Sequence, residues 1–251
     1  MINELNILWM YPDILNLHGD RGNIMAFEKI GNMLDIKVNI NKVESYNNEI
    51  DFENNDIMFF NVGEIKVMPT IIETLKKYSN ELQKFIDDNK TIVLIGASGC
   101  IMAKKTIRKD SEFEGLGFLD MDLVERKSIY GDDILFKLNE NNMEIVGCQI
   151  KMLDTILHSD ISLATLEYGS GNNGYNEKTE GAKYKNIIYT NALGPVFIKN
   201  PWYTELLIKN ALKNKGINIE KILTDNDFAL EINSLNAIKN FINQKGEKDV
   251  S

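Results

Sequence analysis

The chain has 251 residues, of which 43% are hydrophobic and 26% are charged, a composition typical of a globular protein with a sizeable core. Its formal net charge of −9 disfavours nucleic acid and anionic membranes as partners, because both bind basic surfaces. The two cysteines, Cys100 and Cys148, lie in no metal-binding pattern and are typical of free thiols in a reducing compartment. No apolar run approaches the ~20 residues of a membrane span. We therefore expect a cytoplasmic protein without integral membrane association, cofactor or metal.

Short apolar runs alternate with amphipathic segments in the first half of the chain. Strands are predicted at Leu5–Met10, Ile36–Val43, Asp56–Val62 and Ile92–Ile95. Helices are predicted after an N-cap at Asn23, at Pro69–Asp88 and at Cys100–Lys105, with Gly19–Gly22 as a turn. This alternation predicts an α/β fold with a three-layer, doubly wound, mostly parallel sheet. Binding sites in such sheets lie at the carboxyl ends of the strands.

The second half of the chain is less regular. Short strands at Asp122–Arg126, Ile134–Leu138, Glu144–Lys151 and Thr155–His158 predict a β-rich excursion around residues 115–165. A strand from Ile187 ends at Pro195, and a helix begins at Pro201. Helical pieces are predicted at 218–223 and 225–244, with frayed residues at 245–251. We divide the chain into a domain of residues 1–215 and a C-terminal helical extension of residues 216–251.

A set of residue strings in this order and spacing resembles one known family. The strings are Tyr11-Pro12-Asp13 with Asn16, Gly19-Asp20-Arg21-Gly22-Asn23, Tyr168-Gly169-Ser170-Gly171-Asn172-Asn173-Gly174, Glu180-Gly181, Tyr184-Lys185-Asn186, Leu193-Gly194-Pro195 and Lys199-Asn200-Pro201. They resemble the class I glutamine amidotransferases of the cobyric-acid-synthase type, and within these the glutaminase subunit of lipid II isoglutaminyl synthase. The resemblance covers about the first 210 residues. It implies the flavodoxin-like fold of that family.

The resemblance also implies a reaction, the hydrolysis of glutamine to supply ammonia to a ligase partner. That reaction needs a thiolate nucleophile, an imidazole base and backbone donors for the oxyanion. The family carries its nucleophilic cysteine directly after the strand, where this chain has Gly96. It carries its histidine base before Gly-Pro, where this chain has Leu193. The alignment therefore predicts that no catalytic side chain is retained.

Three other parts of the family site are also changed. The glycine-rich oxyanion segment is reduced to Asn61–Ile65, and the Glu-Asn-His-Gly-Gly-Arg signature corresponds to Gln149–Asp154, without its charges and glycines. Ser128 replaces a family arginine, for which Arg126 or Lys127 is an alternative. A remnant pocket is predicted, with Glu64 and Ser98 facing each other as a candidate site for a small polar ligand. Its residues are Gly63, Glu64, Gly96, Ala97, Ser98, Leu193 and Gly194.

Other nucleophiles are weaker candidates. Cys100 lies four residues beyond Gly96, about one turn along the following helix, and a structural role is favoured over a catalytic one. Ser98 does not stand in a G-x-S-x-G elbow, and serine chemistry needs a nearby imidazole. His18 and His158 are assigned surface and turn roles.

The family strings are retained although the catalytic residues are not. This pattern favours a non-catalytic subunit that keeps the fold and a contact surface, and docks on a Mur-ligase-like synthetase acting on cell-wall precursors. The predicted retained surface consists of Tyr11, Asp13, Asn16, Asp20, Arg21, Asn23, Asn172 and Asn173. Two alternatives remain open, an active glutaminase subunit with a relocated nucleophile and a stand-alone small-molecule sensor.

Overall fold

The computed structural model describes residues 3–248, and side chains as far as residue 245. Its strands are β1 (Asn3–Met10), β2 (Ile36–Val43), β3 (Ile57–Phe60), β4 (Thr91–Ile95), β5 (Lys105–Ile107), β6 (Glu112–Glu114), β7 (Met121–Leu138), β8 (Glu144–Leu157), β9 (Ala164–Tyr168), β10 (Thr179–Glu180), β11 (Ala182–Tyr184) and β12 (Ile187–Thr190). Its α-helices are α1 (Arg21–Met33), α2 (Met68–Lys76), α3 (Ser79–Asp87), α4 (Val196–Lys199), α5 (Pro201–Asn214) and α6 (Ala229–Lys248).

The first sheet is the predicted parallel core. Its strand order is β11-β12-β4-β3-β1-β2, and all neighbours except the β11–β12 pair are parallel. Every residue of β3, β4 and β12 is buried, as expected for central strands covered on both faces. Because these three strands are neighbours and run in one direction, the segments that follow them meet at one edge of the sheet.

The β-rich excursion forms a second sheet and not a set of short strands. Its order is β10-β9-β7-β5-β6, with β8 paired to β7. The four strands predicted at 122–126, 134–138, 144–151 and 155–158 are the ends of two long strands, β7 and β8. The register of the β7–β8 pair shifts between Glu125 and Tyr130. With this irregularity the two strands stay paired through a polar stretch, where the sequence predicts separate strands.

Several helix boundaries differ from the predictions. Helix α1 begins at Arg21, so Asn23 lies within it and is not its N-cap. The single helix predicted at 69–88 is divided into α2 and α3, because Tyr78 leaves the helical conformation and its ring packs on Phe52. The segment after β4 is a 3₁₀ turn at Gly96–Ile101, followed by a strand, where a helix at 100–105 was predicted.

The C-terminal part of the chain packs on both sheets. Residues 218–223 are not helical, although a helix was predicted there. Ile217 and Ile219 both contact the core, and side chains two residues apart point to the same side in an extended segment but not in a helix. Helix α6 contacts the second sheet through Leu235 and runs to Lys248, beyond the predicted start of fraying at residue 245. Residues 249–251 lie outside the described residues, and the division at residues 215/216 stays a prediction. No helix within residues 3–248 has the length and apolar character needed to cross a membrane.

Candidate functional site

A small cavity lies at the edge of the first sheet where β3, β4 and β12 end. Its volume is about 20 Å³, close to the minimum that holds one water molecule. The lining residues come from the loop after β1, from the three strand ends and from β8; they are His18, Val62, Gly96, Ala97, Ile150, Lys151, Met152, Leu153, Tyr189, Asn191 and Leu193. The structure therefore brings together Gly96, Ala97 and Leu193 of the predicted remnant pocket. It leaves Gly63, Glu64, Ser98 and Gly194 outside the lining.

Gly96 begins the 3₁₀ turn after β4, called the elbow below, and has a left-handed backbone. Its φ is +56°, a conformation that glycine adopts without the steric cost that a Cβ atom brings. A Cβ atom at this position would lie 3.0 Å from Val62 Cγ2 and 3.3 Å from Leu193 Cδ2. Two apolar side chains thus close the space in front of the elbow.

Leu193 is held in this position by the second sheet. Its N–H donates to the carbonyl of Cys148 at 2.8 Å, and its carbonyl accepts from the Cys148 N–H at 3.2 Å. Gly194 follows with a φ of +78°, and a Cβ there would lie 2.7 Å from Cys148 Sγ. Strand β8 therefore fixes Leu193, the residue predicted to replace the family's histidine, by an antiparallel bridge.

Neither cysteine has the environment of an activated nucleophile. Cys100 is fully buried, and burial raises the pKa of its thiol to about 12. Cys148 is half-buried, and burial raises its pKa as well. Reactive thiols need a lowered pKa and solvent access, so both side chains are suited to packing.

The prediction that Glu64 and Ser98 face each other across the pocket is wrong. Ser98 is fully buried, and its hydroxyl caps the elbow by accepting from the Ile95 N–H at 2.8 Å and donating to the Ile95 carbonyl at 3.0 Å. Glu64 points to solvent, where its side chain is 55% exposed and pairs with Lys66 at 2.5 Å. The Ser98 hydroxyl is hydrogen-bonded to the Ile95 backbone, and the Glu64 carboxylate is exposed to solvent. The two groups therefore do not form a polar ligand site. Across residues 3–248 there is also no cluster of three metal-ligating side chains.

Two proteins of known name align with nearly the whole chain. The lipid II isoglutaminyl synthase (glutamine-hydrolyzing) subunit GatD of Staphylococcus aureus (strain N315) is 31% identical over 231 residues, which are 92% of this chain and 93% of that protein. The subunit of the same name from Streptococcus pneumoniae (strain ATCC BAA-255 / R6) is 26% identical over 216 residues, covering 84% of this chain and 82% of that protein. The chain belongs to the GatD family.

Solved structures agree with this fold. A glutamine amidotransferase crystal structure aligns with a TM-score of 0.52 and 15% identity, over 84% of this chain and 99% of the other. A glutamine amidotransferase from Thermotoga maritima aligns with a TM-score of 0.51 and 11% identity, over 90% and 93%. At these identities the likeness shows the fold, and it confirms the predicted amidotransferase-type α/β architecture. No family model matches the chain.

The retained GatD-family residues are only partly a surface. Tyr11, Asp20, Asn23 and Asn172 are fully buried, which corrects the prediction that they form part of a contact face. Two of them join backbone segments by hydrogen bonds: Asn23 accepts from the Phe197 N–H, and Asn172 bonds to both backbone groups of Gly181. The other four members, Asp13, Asn16, Arg21 and Asn173, are exposed, and Arg21 pairs with Asp13.

A buried polar network lies beneath the cavity, and sequence reasoning missed it. Burial raises the pKa of Glu180, whose carboxylate accepts from Thr190 Oγ1 at 2.7 Å and from the Asn191 N–H at 2.8 Å. Burial lowers the pKa of Lys151, whose ammonium donates to the Asn172 carbonyl at 2.7 Å and pairs with Asp154 at 3.1 Å. The segment 149–154 has therefore kept charged residues, contrary to the prediction.

The same network accounts for Arg126, the alternative to the family arginine. Its guanidinium pairs with Asp154 on the neighbouring strand, and Arg126 is not among the cavity-lining residues. One feature of the sequence indicated this network: Glu180-Gly181 and the loop that contains Asn172 both belong to the family strings. With their hydrogen bonds made inside the protein, these groups stabilise the fold and leave few donors for a ligand.

Asp20 is the exception in this region. It is fully buried, yet neither carboxylate oxygen has a hydrogen-bond partner of normal geometry among the described residues. Burial raises the pKa of Asp20 to about 7, while the N–H groups of Gly194 and Val62, which point toward the carboxylate, act in the opposite direction. An unpaired buried carboxylate is costly when ionised.

The Gly96→Ala variant should lower the free energy of unfolding by about 2–3 kcal/mol. The methyl group must adopt a positive φ and must also displace Val62 and Leu193. Urea unfolding measures this effect. The matched control is Gly117→Ala, because Gly117 has a φ of +75° and no atom within 4 Å of its Cβ position. That variant should lose only about 1 kcal/mol, and equal losses at the two positions would show that the space at the elbow is open.

Proposed function

We propose that this chain is a non-catalytic, amidotransferase-like subunit that binds a Mur-ligase-like partner in cell-wall precursor metabolism. Its relatives are named as subunits of lipid II isoglutaminyl synthase, which supports both the pathway and a subunit role. The observation that carries the loss of catalysis is the closed elbow. Gly96 has no side chain to attack an amide, and Val62 and Leu193 fill the space before it.

The cavity size adds support. A volume of about 20 Å³ suits one water molecule, whereas small-molecule pockets measure ~300–1,000 Å³. Glutamine does not fit without displacement of Leu193 or of the loop that carries His18. The same comparison speaks against a small-molecule sensor that uses this cavity.

The relocated-nucleophile alternative has little support from the environment of the cysteines. The Cys100 thiol is fully buried, with a pKa of about 12, so its thiolate population at neutral pH is negligible. Cys148 lies beside Leu193 and Gly194, but burial raises the pKa of its thiol and position 193 carries no imidazole to serve as its base.

Ammonia release from glutamine tests the loss of catalysis. The full chain, alone and together with its co-purified partner, should release no more ammonia than a variant with both Cys100→Ser and Cys148→Ser. The Staphylococcus aureus relative serves as the positive control. Turnover on the order of 1 s⁻¹ or faster, typical of enzymes, that disappears in the double variant would overturn the non-catalytic proposal.

Co-purification tests the subunit role. A tagged full chain is expressed in its native host, and the eluted complex is identified and then reconstituted from separately purified components. We expect a ligase at a fixed stoichiometry that co-elutes in size-exclusion chromatography. A chain that elutes alone from extract and binds no ligase contradicts the proposal, whatever the ammonia assay gives.

A further inference from the structure

The segment 16–20 lies across the mouth of the cavity and has few attachments. Asn16, His18 and Gly19 are exposed, and His18 lines the cavity. The segment begins at a firm anchor, because Leu15 is fully buried and packs against Gly63. It ends at the buried Asp20, where α1 begins.

The backbone of this segment is strained at His18. His18 has a φ of +57°, unusual for a residue other than glycine, and Gly19 has a φ of +73°. Among the described residues, the backbone bond from the segment to the sheet is that of the Leu17 N–H to the Val62 carbonyl, at a long 3.2 Å. Two side chains also hold the segment: the partly buried Leu17 packs against the core, and Asp20 is fully buried.

The surroundings of Asp20 offer a charged carboxylate little compensation. From the segments after β3 and β12 it meets the N–H groups of Val62 and Gly194, and from β8 the Cys148 thiol. Lys199 of α4 and Asp133 of β7 act on Cys148, and no cation among the described side chains of residues 3–245 forms an ion pair with Asp20. Arg21, the next residue, pairs with Asp13 at the surface.

We propose that Asp20 is a proton-operated catch for the segment 16–20: the neutral carboxyl keeps the segment closed over the cavity, and ionisation releases it. The physical reason is that a buried, ionised carboxylate faced by two backbone N–H groups and, among the described residues, by no cation gains hydration by moving outward, while the strained backbone at His18 relaxes. Leu15 and the body of α1 remain in place as the two fixed ends. Release moves His18 away from the cavity and opens the space in front of Gly96. This inference goes beyond the proposed subunit role and does not depend on it.

Hydrogen exchange of the Leu17 amide tests the proposal on the full chain. Because burial raises the pKa of Asp20 to about 7, the protection factor of this amide should fall about tenfold between pH 6 and pH 8, after correction for intrinsic exchange. In the Asp20→Asn variant the protection factor should stay constant over this range. A fall of equal size in both proteins, or no fall in the wild type, overturns the proposal.

Two controls separate other titrating groups. An imidazole also changes charge between pH 6 and 8, so a His18→Gln variant must keep the tenfold fall, and its loss there would assign the effect to His18. Asp13→Asn removes an exposed carboxylate from the preceding loop and should behave as the wild type. If Asp20→Asn does not fold, the wild-type profile decides, because a fall confined to residues 16–20 supports the catch and a uniform fall across β1 and α3 contradicts it.

Discussion

The Asn172→Ala variant should lose about 3–5 kcal/mol of unfolding free energy, one of the two largest effects that we expect in this chain. The Asn172 amide donates to the Gly181 carbonyl at 2.8 Å and accepts from the Gly181 N–H at 2.9 Å. Both residues are buried, so alanine leaves a backbone donor and a backbone acceptor without partners. Each such group costs ~1–3 kcal/mol. Chemical denaturation followed by circular dichroism measures the loss.

The neighbouring Asn173→Ala variant is the matched control. Asn173 is exposed, and its recorded hydrogen bond is made by its backbone N–H to Glu177 at 2.9 Å. Its side chain can therefore be removed at a cost within about 0.5 kcal/mol. Similar losses at both positions would mean that the loop is held by its backbone conformation and not by the Asn172 amide. A loss at Asn173 alone would contradict the assignment of the stabilising contacts to the Asn172 amide.

The contrast between these two residues shows where the sequence was informative. The apolar runs at Ile36–Val43 and Ile92–Ile95 predicted strands correctly, because burial on one or both faces of a parallel sheet needs little more than continuous or alternating apolar residues. Adjacent asparagines in a glycine-rich loop carry no such periodicity. Which of the two points inward depends on the positions of β10 and β11, and those positions depend on the whole fold.

In the candidate site, too, some features were predicted from the sequence and others were not. The family alignment predicted that Gly96 and Leu193 occupy the former catalytic positions, and the structure places them side by side at the sheet edge. It did not predict that Leu193 and Val62 together close the cavity, because this closure depends on side-chain packing across three segments. Nor did it predict the orientation of Ser98, since a hydroxyl that caps the turn at Ile95 has no distinct sequence signal.

The second large effect concerns Asp20 and depends on pH. Burial raises the pKa of its carboxyl from 3.8 to about 7 in the folded chain. Between these two values the folded chain binds one proton more than the unfolded chain, so the free energy of unfolding falls as the pH rises through this range. The stabilisation is fully present below about pH 4 and is lost by about pH 7. The integrated loss is at most about 4 kcal/mol, at ~1.4 kcal/mol per pKa unit.

Asp20→Asn removes this titration while keeping the volume of the side chain. The variant should match the wild type near pH 4 and exceed its unfolding free energy by as much as about 4 kcal/mol at pH 8. Urea unfolding at a series of pH values measures this difference, in which carboxylates common to both proteins cancel. Asp13→Asn, at a side chain that is 73% exposed, should change stability by less than about 1 kcal/mol at either pH. A difference between Asp20→Asn and the wild type that does not vary with pH would show that Asp20 is ionised throughout.

The difference in unfolding free energy between Asp20→Asn and the wild type at pH 8 also tests whether the segment is released. A carboxylate that remains buried imposes the whole cost of its ionisation on the folded state. Release of residues 16–20 limits that cost to the free energy that holds the segment closed, because the ionised carboxylate then reaches water. If the unfolding free energy of Asp20→Asn exceeds that of the wild type by well below about 4 kcal/mol, and the wild-type Leu17 amide loses protection from exchange, the difference therefore measures the free energy that holds the segment closed. A full gain with unchanged protection would leave Asp20 as a buried, destabilising charge and would rule out its action as a catch.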